Sequence, residues 1–214
     1  MKALLLVDLQ NDFTPGEPGG ALAVPNGHEV IAVANRLMPG CDVVVATQDW
    51  HPPGHKSFAS EHPGASVGQV ITWKGLDQVL WPDHCVQGTV GAEFCAGLNM
   101  DEVDKVVRKG TDPDIDSYSG FFDNGHRKAT GLSDLLRKRG VDGVDVLGLA
   151  TDYCVRFTAL DAVREGFDTR VLLEGCRGVE LNPGDCERAI EDMRQAGVKI
   201  VGGPECRQSD MNPM

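Results

Sequence analysis

The chain has 214 residues, is 41% hydrophobic and holds no apolar run of 18 residues, so no membrane-spanning helix is expected. Its 32 acidic and 20 basic residues give a net charge of −12, which favours solubility and disfavours nucleic acid and anionic lipid as partners. The seven cysteines include no C-x-x-C pair, which argues against a paired-cysteine zinc site and a thiol redox motif, and a cytosolic setting, expected below, argues against a disulfide framework.

The apolar run Ala3–Val7 is brief and leads straight into Asp8. That makes it a first strand rather than a signal peptide, and the protein is expected in the cytoplasm. His28–Met38 carries Val30, Ile31, Val33, Ala34 and Leu37 at helical spacing, and Val43–Ala46 is the second strand. From Thr47 to about Met100 the chain is rich in Pro, Gly, His and Trp and shows little periodicity. A loop region of that length inside a domain is usually functional. Val103–Val107 is a strand, and Leu132–Arg139 is a helix stopped by Gly140. Val144–Leu149 is a strand followed by a helix over Tyr153–Glu165, which stops at Gly166. Arg170–Leu173 is a strand, and Asn182-Pro183 reads as the N-cap and first turn of a helix closing at Gly197. Lys199–Val201 is the last strand, and residues 202–214 form a polar tail.

The strands are continuous apolar runs rather than alternating ones, which suits a parallel sheet covered on both faces. Alternating with helices, they predict one domain over 1–214. Its fold is a doubly wound three-layer α/β/α fold with a mostly parallel six-stranded sheet. In such sheets ligands bind outside the carboxyl ends of the strands. Those ends hold Asp8, then Thr47-Gln48-Asp49-Trp50-His51, then Arg108-Lys109, then Ala150-Thr151-Asp152-Tyr153-Cys154.

Cys154 lies between a buried strand and a helix, where the helix dipole favours a thiolate and a lowered pKa. Alone, such a cysteine is more often a buried small hydrophobe. With Asp8 and Lys109 on the same edge it becomes a candidate nucleophile. Asp8 is then its general base, and Lys109 pairs with Asp8. Cys85, beside His84 in a loop, is a weaker rival. Asp49 and His51, two residues apart, face the same way in extended chain, and His84 offers a third ligand. Carboxylate and imidazole suit a divalent ion, Zn²⁺ first, with Mn²⁺ or Fe²⁺ as alternatives.

The chain resembles the isochorismatase-like cysteine hydrolase superfamily, and within it the bacterial nicotinamidase branch. Five motifs in order carry the likeness: Leu6-Val7-Asp8-Leu9-Gln10-Asn11-Asp12-Phe13, Thr47-Gln48-Asp49-Trp50-His51-Pro52, Trp81-Pro82-Asp83-His84-Cys85-Val86-Gln87-Gly88-Thr89, Lys109-Gly110 with Asp116-Ser117-Tyr118-Ser119-Gly120-Phe121-Phe122, and Gly148-Leu149-Ala150-Thr151-Asp152-Tyr153-Cys154-Val155. The resemblance implies a triad of Asp8, Lys109 and Cys154 and metal ligands Asp49, His51 and His84. It also implies a cis peptide between Leu149 and Ala150 that aims the N–H groups of Ala150 and Cys154 at an oxyanion. Phe13, Trp81 and Tyr118 match its ring-binding positions. A further histidine ligand found in some members falls at Ser57, which leaves Ser57, Glu61, His62 or water for that place. The implied reaction converts nicotinamide to nicotinate and ammonia through a cysteine thioester. The alternatives are a hydrolase of another small amide or ureide, or a non-catalytic metal-binding protein of the same fold. The sequence leaves homo-oligomerisation open.

Overall fold

A computed structural model describes residues 1–16 and 19–202, so the expected tail beyond Gly202 lies outside the described residues. Leu4, Leu5, Leu6 and Val7 are all buried in β1 (Lys2–Val7), which is why this strand reads as an unbroken apolar run. It pairs in parallel with β2 (Val43–Asp49) on one side and β6 (Gly143–Leu149) on the other. β5 (Lys105–Lys109) extends the sheet beyond β2. β7 (Asp168–Arg177) and β8 (Lys199–Val201) extend it beyond β6. The order is β5-β2-β1-β6-β7-β8, a six-stranded sheet with every pairing parallel.

The helices are α1 (Glu29–Leu37), α2 (Leu132–Lys138), α3 (Arg156–Arg164) and α4 (Asp185–Gln195). Right-handed crossovers place α1 on one face of the sheet and α2, α3 and α4 on the other, which gives three layers. The chain leaves β1 toward β2 but leaves β6 toward β7, so β1 and β6 flank the topological switch point. Among the described residues no helix is long and apolar enough to cross a membrane.

Five local features depart from the sequence reading. β2 runs on to Asp49, and β5 starts at Lys105 because a tight turn over Met100–Glu102 leaves Val103 in the connection. Lys109 is therefore the last residue of a strand. β7 continues to Arg177, well past Leu173. α4 begins at Asp185 rather than at Asn182-Pro183, because Gly184 is left-handed (φ 86°) and the Asn182 N–H donates to the Asp185 carboxylate at 2.8 Å. The segment from Thr47 to Met100 also contains a hairpin, β3 (Val70–Trp73) with β4 (Leu76–Val79), turned by Lys74 and Gly75 at φ 51° and 81°.

The tightest approach in the sheet is at Gly148, paired with Val7 across the switch point. Its φ is 136°, and a Cβ there would lie 2.1 Å from the Val7 carbonyl oxygen. Gly148→Ala is expected to cost about 3 kcal/mol in urea unfolding. Gly40→Ala, with nothing within 4 Å, is expected to stay within about 0.5 kcal/mol.

Candidate active site

Asp8 follows β1 in the left-handed region (φ 51°), a conformation aspartate tolerates better than most residues. Thr47 of β2 fixes it from both ends. The Asp8 N–H donates to Thr47 Oγ1 at 3.2 Å, and the Thr47 hydroxyl donates to Asp8 Oδ1 at 2.7 Å. The other carboxylate oxygen, Oδ2, lies 2.8 Å from Lys109 Nζ.

Lys109 is 2% exposed, and its ammonium is the hub of the site. Besides Asp8 it approaches Asp49 Oδ1 at 3.1 Å, donates to the Ser117 carbonyl at 2.8 Å and reaches Cys154 Sγ at 3.4 Å. Cys154 lies in a single π-turn, Thr151–Val155, between β6 and α3, just after a cis peptide joining Leu149 to Ala150. Lys109 Nζ bridges the Asp8 carboxylate and the Cys154 sulfur. The structure thus brings Asp8, Lys109 and Cys154 together from three different strands' ends.

The expected fall in the Cys154 pKa is not found. Burial pushes the thiol well above its usual value, with the Lys109 charge opposing and the Asp8 charge reinforcing. The sulfur is enclosed, and loss of water outweighs the pull of the Lys109 charge. Burial raises the Asp8 pKa as well, against the pull of Lys109. For Lys109 burial disfavours the charge, but Asp49 and Asp8 outweigh it and hold the ammonium well above its usual value. The site therefore rests with a charged lysine and a protonated thiol.

A second group adjoins the first through Asp49. Its Oδ2 lies 3.2 Å from His51 Nε2 and 3.6 Å from His84 Nε2. His51 Nδ1 is 3.0 Å from the Gly110 carbonyl, and His84 Nδ1 is 2.8 Å from the Pro82 carbonyl. A carbonyl only accepts, so each Nδ1 carries the ring proton and each Nε2 presents a lone pair. Three acceptors then converge with no donor between them, and all are buried. That donor set fits a divalent cation. A proton is its substitute: burial opposes charge on His51, but Asp49 outweighs burial and raises the His51 pKa. Gly110 permits the arrangement, because at φ 63° a Cβ there would lie 2.5 Å from His51 Cε1 and 2.7 Å from Asp49 Oδ1.

Other sequence candidates are engaged elsewhere. Ser57 Oγ lies 2.7 Å from His55 Nδ1, Glu61 pairs with Lys56 at 2.7 Å, and His62 Nε2 donates to the Lys56 carbonyl at 2.9 Å. Cys85 is buried, its thiol pushed up by burial, and the neighbouring His84 is turned toward Pro82 and Asp49.

Phe13, Trp81 and Tyr118 line one cavity with Ala150, Tyr153 and Cys154, and Asp49, His84 and Asp116 share its wall. Trp81 Nε1–H donates to the Tyr118 hydroxyl at 3.1 Å. Tyr153 stands edge-on to both rings, with centroids at 4.8 Å and 5.4 Å. Phe13 stands edge-on to His84 at 5.5 Å. Sequence reasoning missed Tyr153 and Asp116. Both sit inside quoted motifs, at the positions before Cys154 and before Ser117-Tyr118, but neither carries a periodicity signal.

The family pattern described as the isochorismatase domain matches residues 2–205. The chain belongs to the isochorismatase family. Within that family it is 49% identical over 203 residues to a nicotinamidase of Escherichia coli K12, covering 93% of each chain. The fold matches an Acinetobacter baumanii nicotinamidase structure at TM-score 0.90 and 47% identity, covering 94% of this chain and 95% of that one. A pyrazinamidase of Pyrococcus horikoshii solved with zinc matches at TM-score 0.74 and 40% identity, covering 94% and 99%.

In this isochorismatase-family site, removal of the ammonium leaves two buried carboxylates facing each other. Lys109→Met is expected to lower the unfolding free energy of the metal-free protein by about 3–5 kcal/mol in urea titration. Adding Asp8→Asn is expected to recover much of that loss. A single-variant loss below about 1 kcal/mol would contradict the hub assignment.

Proposed function

We propose that this chain hydrolyses nicotinamide to nicotinate and ammonia, with Cys154 as nucleophile. The observation that carries the reading is the Lys109 ammonium, which lies 2.8 Å from Asp8 and 3.4 Å from Cys154 at the wall of an aromatic cavity. The similarity to nicotinamidases at 49% and 47% identity, over nearly the whole chain, supports the choice of substrate. Pyrazinamide, with the same carboxamide on a diazine ring, is a second substrate of the same cavity.

Trp81, Tyr118 and Phe13 hold the ring so that the carboxamide carbon faces Cys154 Sγ. Asp8 takes the thiol proton as sulfur attacks that carbon. Burial raises the Asp8 proton affinity, which makes it a stronger base than an exposed carboxylate, while burial also raises the thiol it must deprotonate. The backbone N–H groups of Ala150 and Cys154 hold the oxyanion, worth roughly 3–4 kcal/mol per donor. Asp8 passes the proton to the amine, the C–N bond breaks, and ammonia leaves a thioester on Cys154. Asp8 then takes a proton from water, whose oxygen displaces the sulfur, and nicotinate departs with the thiol restored. Lys109 stays charged throughout, orients Asp8 and offsets the negative charge that builds beside it.

Asp49, His51 and His84 would hold a divalent ion, zinc first, in keeping with the zinc-bound Pyrococcus horikoshii pyrazinamidase. When bound, the ion supplies a Lewis-acidic centre for the pyridine nitrogen.

Ammonia release from nicotinamide, measured by a coupled assay, is expected to fall by roughly 10⁴-fold or more in Cys154→Ala. Nicotinate binding to the same variant, followed by calorimetry, is expected to persist. Turnover close to that of the unaltered chain would overturn the nucleophile assignment, and absence of turnover in the unaltered chain would overturn the substrate.

A further inference from the structure

Asp116 is a buried charge that neither the triad nor the Asp49–His51–His84 group uses. It is 3% exposed. Its Oδ1 accepts from the Ser117 N–H at 2.7 Å, and its Oδ2 accepts from Gln78 Nε2 at 3.2 Å. Both donors are neutral. Among the described residues no lysine or arginine pairs with it, and the chargeable side chains nearest it are His51, whose Nε2 is 4.0 Å from Oδ1, and His55.

The formal charges at this edge do not balance. Asp8, Asp49 and Asp116 are buried carboxylates, and Lys109 is the single buried ammonium facing them. Two negative charges are left over, an arrangement the interior tolerates poorly without a counter-ion. A divalent cation restores neutrality. His51, His55 and Asp116 form a second set of ligand atoms within 4.8 Å of one another, sharing His51 with the first set. His55 is fully buried, and its Nε2 makes no hydrogen bond among the described residues.

We propose that Asp116 is a further residue of the divalent-metal centre, supplying the second carboxylate charge that the ion needs there. The proposal rests on the reading of Asp49, His51 and His84 as the ion's holders. It also answers the question left by Ser57, Glu61 and His62: the additional protein group comes from the segment after β5, not from the loop after β2.

The test is zinc affinity, measured by competition with a chromophoric chelator for the full chain and for Asp116→Asn and Asp49→Asn, with ion counts by elemental analysis. Asp116→Asn is expected to weaken zinc binding about 10- to 100-fold while one ion still binds per chain. The metal-free variant is also expected to melt above the metal-free unaltered chain, because an uncompensated buried charge has gone. A residue with a merely structural role would lower the melting temperature and leave the zinc affinity within about threefold, and that result would overturn the proposal. Two ions per unaltered chain would overturn it in favour of a separate site at His51, His55 and Asp116. Asp116→Ala removes the charge without adding a donor and is read the same way if the asparagine variant fails to fold. If the unaltered chain binds no zinc, or Asp49→Asn binds it as tightly, the underlying reading of the three ligands fails instead.

Discussion

One ammonium group organises the carboxyl edge of this sheet. Lys109 Nζ lies 2.8 Å from Asp8, 3.1 Å from Asp49 and 3.4 Å from the Cys154 sulfur, with no access to solvent. At such distances in a dry interior each charge governs the protonation of the others. The lysine keeps its proton because two carboxylates surround it, and the carboxylates tolerate burial because the lysine is there. The Cys154 thiol sits at the rim of that arrangement and keeps its proton until a base removes it. Asp49 belongs to both neighbourhoods, so the charge of any ion held by the histidines bears on Lys109 and, through it, on the Cys154 thiol.

The sheet makes this meeting possible. Asp8 ends β1 and Cys154 follows β6, the two strands that flank the switch point, while Asp49 and Lys109 end β2 and β5. Residues more than a hundred positions apart therefore share one edge without any long-range loop having to find them. The aromatic cavity is assembled differently. Phe13 comes from the turn after β1, Trp81 from the end of the hairpin region, Tyr118 from the segment after β5 and Tyr153 from the π-turn. The aromatic cavity is thus lined largely from loops and turns, while Asp8, Asp49 and Lys109 stand at strand ends.

Much of this was legible from residue order, for identifiable reasons. Buried parallel strands have no polar face, so Leu4–Val7 announces itself as an apolar run, and Val144–Leu149 does so but for the half-buried Asp145. Gly140, Gly166 and Gly197 mark helix ends because each adopts a positive φ, at 71°, 88° and 96°. Asp8, Lys109 and Cys154 are legible because each stands at or just past the end of such a strand. The failures have equally specific causes. Asn182-Pro183 signals a turn as readily as a helix start, and Gly184 decides for the turn. The β3–β4 hairpin has strands of four residues and a lysine where asparagine or aspartate would have flagged the turn. The direction of the Cys154 pKa depends on enclosure, which spacing along the chain does not encode. Asp116 stands inside a recognised motif, yet that no lysine or arginine pairs with it among the described residues is a property of the fold and not of the motif.

The ionisation state of Lys109 bears most directly on all of this. Nitrogen-detected NMR of the selectively labelled lysine side chains, followed through a pH titration, would resolve its Nζ resonance. The account predicts a charged ammonium that persists beyond pH 10.5, the usual lysine value. A neutral amine at pH 7–9 would contradict it, because Asp8, Asp49 and Cys154 would then lack the charge around which the site is built.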